Sequence, residues 1–69
     1  MMVIGAGAAG QALIKEMINS KKMHTQVVCI IDDNPYKKGR MLEGIPIVGD
    51  RFDIPDMVRK YHVTRIIYS

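Results

Sequence analysis

Three glycines and one acid are the residues in this chain whose spacing could do chemistry. Gly5-Ala6-Gly7-Ala8-Ala9-Gly10 follows the pattern G-x-G-x-x-G, and Asp32 stands 22 positions after Gly10. Each glycine has a mechanical job beside a diphosphate. Gly5 permits a tight strand-to-helix turn with a positive φ. Gly7 lacks a side chain, so phosphates can approach the backbone, and Gly10 lets the next helix pack closely on the strand. First-turn N–H groups and the positive end of the helix dipole then point at the anion. Small Ala6, Ala8 and Ala9 keep that cradle open.

Asp32, with Asp33 beside it, would accept hydrogen bonds from ribose hydroxyls. A carboxylate there repels a 2′-phosphate, which favours NAD over NADP. Lys37, Lys38 and Arg40 lie close in sequence and soften that preference. No Lys-Ser or Lys-Thr follows the glycines, so the loop is not of the P-loop type that holds nucleoside triphosphates. Taken alone the glycine pattern is weak, because glycines cluster in many loops. The same residues also fit a compact turn that binds nothing, with Asp32-Asp33 merely opening a loop.

Context separates these readings, since the elements must position the turn. Met2-Val3-Ile4 reads as a short buried strand. From Ala8 the apolar residues take helical spacing, with Leu13, Ile14, Met17 and Ile18 on one face and Gln11, Lys15, Glu16 and Asn19 on the other. That helix is expected to fray near Ser20-Lys21-Lys22. Val27 to Ile31 is continuously apolar and mostly β-branched, the pattern of a strand covered on both faces. It stops at the turn formers Asp32-Asp33-Asn34-Pro35.

After a polar loop with Gly39 and Gly44, Ile45-Pro46-Ile47-Val48 is expected to be a short edge strand or an extended segment, because Pro46 cannot donate to a ladder. Asp53 is expected to cap a helix from Asp56 to Tyr61, with Pro55 in its first turn. Arg65 to Tyr68 forms a last strand. The order β-α-β-(β)-α-β predicts an α/β, three-layer Rossmann-like half-fold, with a parallel sheet of three main strands plus a short extra one. Residues 1–69 are expected to be one partial NAD(P)-binding domain.

No other residues assemble a reaction. Tyr61-x-x-x-Arg65 only superficially matches Tyr-x-x-x-Lys, whose chemistry needs a lysine to lower the tyrosine pKa; Tyr61 is expected in the core with its hydroxyl wet. His24 and His62 are isolated and expected on the surface, without metal-ligand spacing. Asp50, Asp53 and Asp56 read as loop and cap residues, and Cys29 as a packed strand thiol. The expected assignments are no catalytic residue and no metal.

Composition bounds the rest. The 69 residues are 48% hydrophobic and 25% charged, within the globular range. A net charge of +3 is spread over Lys21-Lys22, Lys37-Lys38-Arg40 and Arg59-Lys60. Without interleaved aromatics, it argues against nucleic acid. No apolar stretch approaches the roughly 20 residues of a bilayer span, and no signal peptide is evident. A soluble, cytoplasmic chain is expected, and the unpaired Cys29 fits a reducing compartment.

The segments Gly5 to Gly10, Ile30-Ile31-Asp32-Asp33-Asn34-Pro35, Lys38-Gly39-Arg40 and Gly44-Ile45-Pro46-Ile47-Val48-Gly49-Asp50 together carry a family resemblance. The chain resembles the N-terminal Rossmann-like, CoA-binding-like nucleotide-binding domain of bacterial polysaccharide-biosynthesis nucleotide-sugar epimerases and dehydratases of the CapD type. The resemblance covers nearly the whole chain and is most specific from Asp32 to Asp50. In such proteins the domain commonly follows membrane helices and precedes a catalytic short-chain-dehydrogenase domain acting on UDP-linked sugars with bound NAD(P).

The resemblance implies a non-catalytic module that binds a dinucleotide or UDP-sugar. It also implies an excised or truncated piece, at the cytoplasmic face of the membrane in its parent, whose uncovered strand edge favours self-association. Redox-sensing repressors of the Rex type and sugar acyltransferases of the PglD type share parts of the pattern. An NAD(H)-sensing regulatory module and a UDP-sugar-binding half-domain therefore stand as alternatives, as does a remnant that only supports assembly.

Overall fold

The computed structural model describes residues 1–20 and 26–69. Strands β1 (Met2–Ile4), β2 (Cys29–Ile31), β3 (Met41–Leu42), β4 (Ile45–Gly49) and β5 (Ile66–Tyr68) form one sheet in the order β3-β4-β2-β1-β5. Helix α1 (Ala8–Asn19) links β1 to β2, and α2 (Ile54–Lys60) links β4 to β5. β1 pairs in parallel with β2 (Val3 opposite Ile30) and with β5 (Val3 opposite Ile67). β2 pairs in parallel with β4, and β3 lies antiparallel along β4.

The strand alternation sorts side chains onto two faces. Val3, Ile30, Ile45 and Ile47 bury one face together with Ile14 and Met17 of α1. Met2, Cys29 and Ile31 bury the other, packed by Ile54, Met57, Val58 and Tyr61 on the α2 side. The molecule is thus a three-layer α/β Rossmann-like arrangement. A continuous apolar run suits β1 and β2 because both of their faces are covered.

Several expectations need correction. β4 is internal, between β3 and β2, although it contains Pro46. Ile47 N–H donates to Arg40 O at 2.8 Å, so the neighbouring pair Met41–Pro46 falls at a position where that ladder asks for no donor. On the other side the pairing with β2 starts only at Ile47. The polar loop contributes β3, an element absent from the sequence reading. β2 is shorter than the apolar run, with Val27 buried just ahead of it. Ile18, expected in the core, is 56% exposed, because α1 turns its Gly10, Ile14 and Met17 stripe, with half-buried Leu13, toward the sheet.

The cap before α2 is also relocated. Asp50 accepts from Phe52 N–H at 2.9 Å, and Asp53 reaches back to Asp50 N–H at 3.0 Å. This reciprocal capping box belongs to the 3₁₀ turn Arg51–Asp53, and α2 begins at Ile54, earlier than expected. His62 is exposed, Tyr61 packs against the second cluster, and Cys29 is fully buried. The expectations for Lys21, Lys22, His24 and the fraying of α1 lie outside the described residues.

Candidate functional site

Because β1, β2, β4 and β5 run in parallel, their carboxyl ends share one edge of the sheet. Open α/β sheets hold ligands in the crevice at that edge. A cavity of about 530 Å³ lies there, within the size range of small-molecule sites. Ile4 and Gly5 line it from the end of β1, and Ile31, Asp32 and Asp33 from the end of β2. Arg51 and Ile54 enter from the segment after β4, and Tyr68 from β5.

The glycine turn borders this cavity, and its three glycines serve different ends. Gly5 adopts φ +104°, which a residue with a side chain rarely tolerates. A Cβ on Gly10 would overlap the carbonyl oxygen of Gly5, so the close approach of α1 to β1 demands glycine there. Gly7 is different: its φ is −79°, and nothing lies within 4 Å of where a Cβ would stand. Neither its backbone angles nor its packing demands glycine. It occupies the N-cap of α1, where no side chain caps the first-turn N–H groups, and Ala8 and Ala9 beside it are exposed. Ala6, by contrast, packs its methyl group into the core.

Asp32 is bonded to the turn it follows in space. Its Oδ1 accepts from Asn34 N–H at 2.9 Å and its Oδ2 accepts from Ala6 N–H at 2.8 Å. Lys37 Nζ stands 3.7 Å from Oδ2. The Asn34 N–H, then Ala6 and Lys37, outweigh partial burial and hold the Asp32 carboxyl below its ordinary pKa. Asp33 binds Arg51 through both the guanidinium and the backbone N–H, the latter at 3.0 Å, bridging the ends of β2 and β4. The Arg51 side chain lowers the Asp33 pKa, and Asp33 raises that of Arg51.

The structure therefore gathers Gly5 to Gly10, Asp32 and Asp33 at one edge. Sequence reasoning missed Arg51, Ile54 and Tyr68. Their signal was position, since each lies at or just beyond the carboxyl end of a parallel strand. Asp50 and Asp53 are committed to the capping box, and the described residues contain no cluster of His, Cys, Asp and Glu placed for a metal. Among those residues no helix is long and apolar enough to cross a membrane.

Comparison with known proteins agrees with this geometry. The chain is 39% identical over 69 residues to "Capsular polysaccharide biosynthesis protein CapD" of Staphylococcus aureus, covering 99% of this chain and 12% of that protein. It is 27% identical over 68 residues to "Probable polysaccharide biosynthesis protein EpsC" of Bacillus subtilis (strain 168), covering 99% of this chain and 11% of that one. The chain thus spans a small part of the curated relatives it matches.

Among solved structures, UDP-D-quinovosamine 4-dehydrogenase from Vibrio fischeri superposes with a TM-score of 0.82 at 24% identity. The match covers 97% of this chain and 52% of that one, and establishes the Rossmann-like fold. The resemblance to CapD-type proteins read from the glycine turn and the Asp32–Asp50 block is borne out. Matched along its whole length, residues 1–69, this chain belongs to the CoA-binding domain family.

Proposed function

We propose that residues 1–69 are the nucleotide-binding domain of a nucleotide-sugar epimerase or dehydratase in surface-polysaccharide synthesis. The domain holds NAD or NADP, or a UDP-sugar, and performs no catalysis itself. The observation that carries this reading is Gly7. Its backbone angles are ordinary and the space around it is open, so packing does not require glycine there and a ligand has room to reach the backbone. The uncapped N-terminus of the 12-residue α1 supplies N–H groups for a diphosphate. The mostly apolar cavity beside it suits a nucleoside, with Asp32 at the ribose and Asp33 shaping the wall with Arg51.

When bound, a dinucleotide would supply hydride chemistry to another part of the parent protein; these residues bind and orient it. The printed names of the relatives support the polysaccharide context, and a cytoplasmic location fits that context. Ile66 and Tyr68, 40% and 75% exposed on the edge strand β5, favour self-association, which sedimentation would register as a dimer.

Calorimetric titration of NAD, NADP, CoA and UDP-sugars into wild type and Gly7→Val tests the binding claim. Saturable binding of at least one ligand, lost in the folded variant, is expected. Failure of every ligand to bind the wild type overturns it.

A further inference from the structure

A glycine at position 5 leaves the turn between β1 and α1 free to take many shapes, so its neighbours must hold it in one. Two consecutive peptide units meet at Gly5. In the first, Gly5 N–H donates to Ile31 O at 2.7 Å, and Ile4 O accepts from Ser69 N–H at 3.0 Å and from Ser69 Oγ at 2.8 Å. In the second, Ala6 N–H donates to Asp32 Oδ2 at 2.8 Å. Gly5 O lies 3.3 Å from Ser69 Oγ, as the weaker acceptor of the same hydroxyl proton. Both units are therefore gripped from the end of β2 on one side and from Ser69, just past β5, on the other.

The glycines make room for that hydroxyl. A Cβ on Gly5 would overlap Ser69 Oγ, and one on Gly10 would come within 3.3 Å of it. Ser69 is otherwise exposed, so its hydroxyl adds little to the core. A hydroxyl that donates to a peptide carbonyl polarises the N–H on the far side of that peptide. Ser69 and Asp32 thus act on the one Gly5–Ala6 unit from opposite sides.

Resting on the nucleotide reading above, we infer that Ser69 is a positioning residue for nucleotide binding. Its hydroxyl fixes the two peptide units at Gly5 in the orientation that presents Gly7 and the first turn of α1 to a diphosphate. It acts through the turn, 64 residues downstream of Gly5. The glycines and the acid at Asp32 thereby gain a third member, from the far strand of the sheet.

Ser69→Ala removes the hydroxyl and Ser69→Thr keeps it. Amide exchange is followed by NMR without ligand, and dissociation constants for NAD, NADP, CoA and UDP-glucose are measured by calorimetry. In Ser69→Ala the Gly5 and Ala6 amides exchange about three- to tenfold faster. Tyr61 N–H, bonded to Met57 O at 3.0 Å at the end of α2, keeps its wild-type rate. Whichever nucleotide binds the wild type binds Ser69→Ala about three- to tenfold more weakly. Ser69→Thr restores both the exchange rates and the affinity.

Unchanged exchange at Ala6, or unchanged affinity of Ser69→Ala for a nucleotide that the wild type binds, overturns the inference while the nucleotide reading stands. Exchange that quickens equally at Tyr61, or a Ser69→Thr variant as impaired as Ser69→Ala, marks a merely structural role and overturns it too. If the wild type binds none of the four ligands, the nucleotide reading fails and the inference falls with it.

Discussion

Ala6 and Asp32 are 26 residues apart in sequence, yet the N–H of one donates to the carboxylate of the other at 2.8 Å. The acid at the end of β2 therefore holds the glycine turn at the end of β1. Asp32→Ala removes the acceptor for both Ala6 and Asn34, and is expected to cost about 1–2 kcal/mol of stability, read by urea denaturation. Asp32→Asn keeps one oxygen acceptor and is expected to cost less. If Asp32→Ala unfolds at the wild-type midpoint, the bond does not hold the turn. Any binding defect of Asp32→Ala thus combines a loosened turn with loss of the proposed ribose contact, and Asp32→Asn is the cleaner probe.

The two helix-proximal glycines are expected to separate folding from binding. Gly10→Ala forces a methyl group into the Gly5 carbonyl and is expected to lose about 1–3 kcal/mol, lowering the thermal midpoint. Gly7→Ala meets open space and gives up only a glycine N-cap, so it is expected to lose less stability than Gly10→Ala while weakening nucleotide affinity. Comparable destabilisation of both variants contradicts the assignment of Gly7 to a ligand.

Acid sensitivity follows from the two carboxylates. Asp32 and Asp33 have folded pKa values below the ordinary 3.8, held down chiefly by Asn34 N–H and by the Arg51 side chain. A depressed carboxyl stabilises the fold fully above its unfolded pKa, and that contribution is lost as pH falls through the lower folded value. Stability is expected to be level from about pH 5 to 7 and to decline below about pH 4. Asp32→Asn would flatten part of that decline. The exposed Asp33–Arg51 share should fade with added salt. Equilibrium denaturation across pH checks each point.

Cys29 offers a probe of global opening. It is fully buried in β2, and burial pushes its thiol pKa above the ordinary 9.0. Native protein is expected to resist alkylation by iodoacetamide and to react in urea at the rate of a free thiol. Rapid labelling of folded protein would contradict the central position of β2. Cys29→Ser places a hydroxyl at this site and is expected to destabilise by about 1–3 kcal/mol.

The glycine turn, α1 and the two central strands were legible because each is written locally. Gly5 and Gly10 announce a positive φ and a close approach, and the Val27–Ile31 run reports cover on both faces of a sheet. The strand containing Pro46 was misplaced at an edge because a missing N–H is harmless where the ladder needs no donor. Only pairing with Met41 reveals that position. The cap at Asp50 was assigned to Asp53 because both are acids before a helix, and only the backbone path shows which carboxylate meets which N–H.

By itself, then, the sequence determined the alternation of strand and helix, the layered class and the glycine turn at Gly5 to Gly10. Periodicity, glycine angles and turn chemistry act over a few neighbouring residues. Tertiary structure alone decided that Asp32 secures the turn, that Asp33 is paired with Arg51, and that Lys37 stands beside the Asp32 carboxylate. Those contacts join residues from separate loops, and they exist only because parallel strands deliver all their carboxyl ends to one edge.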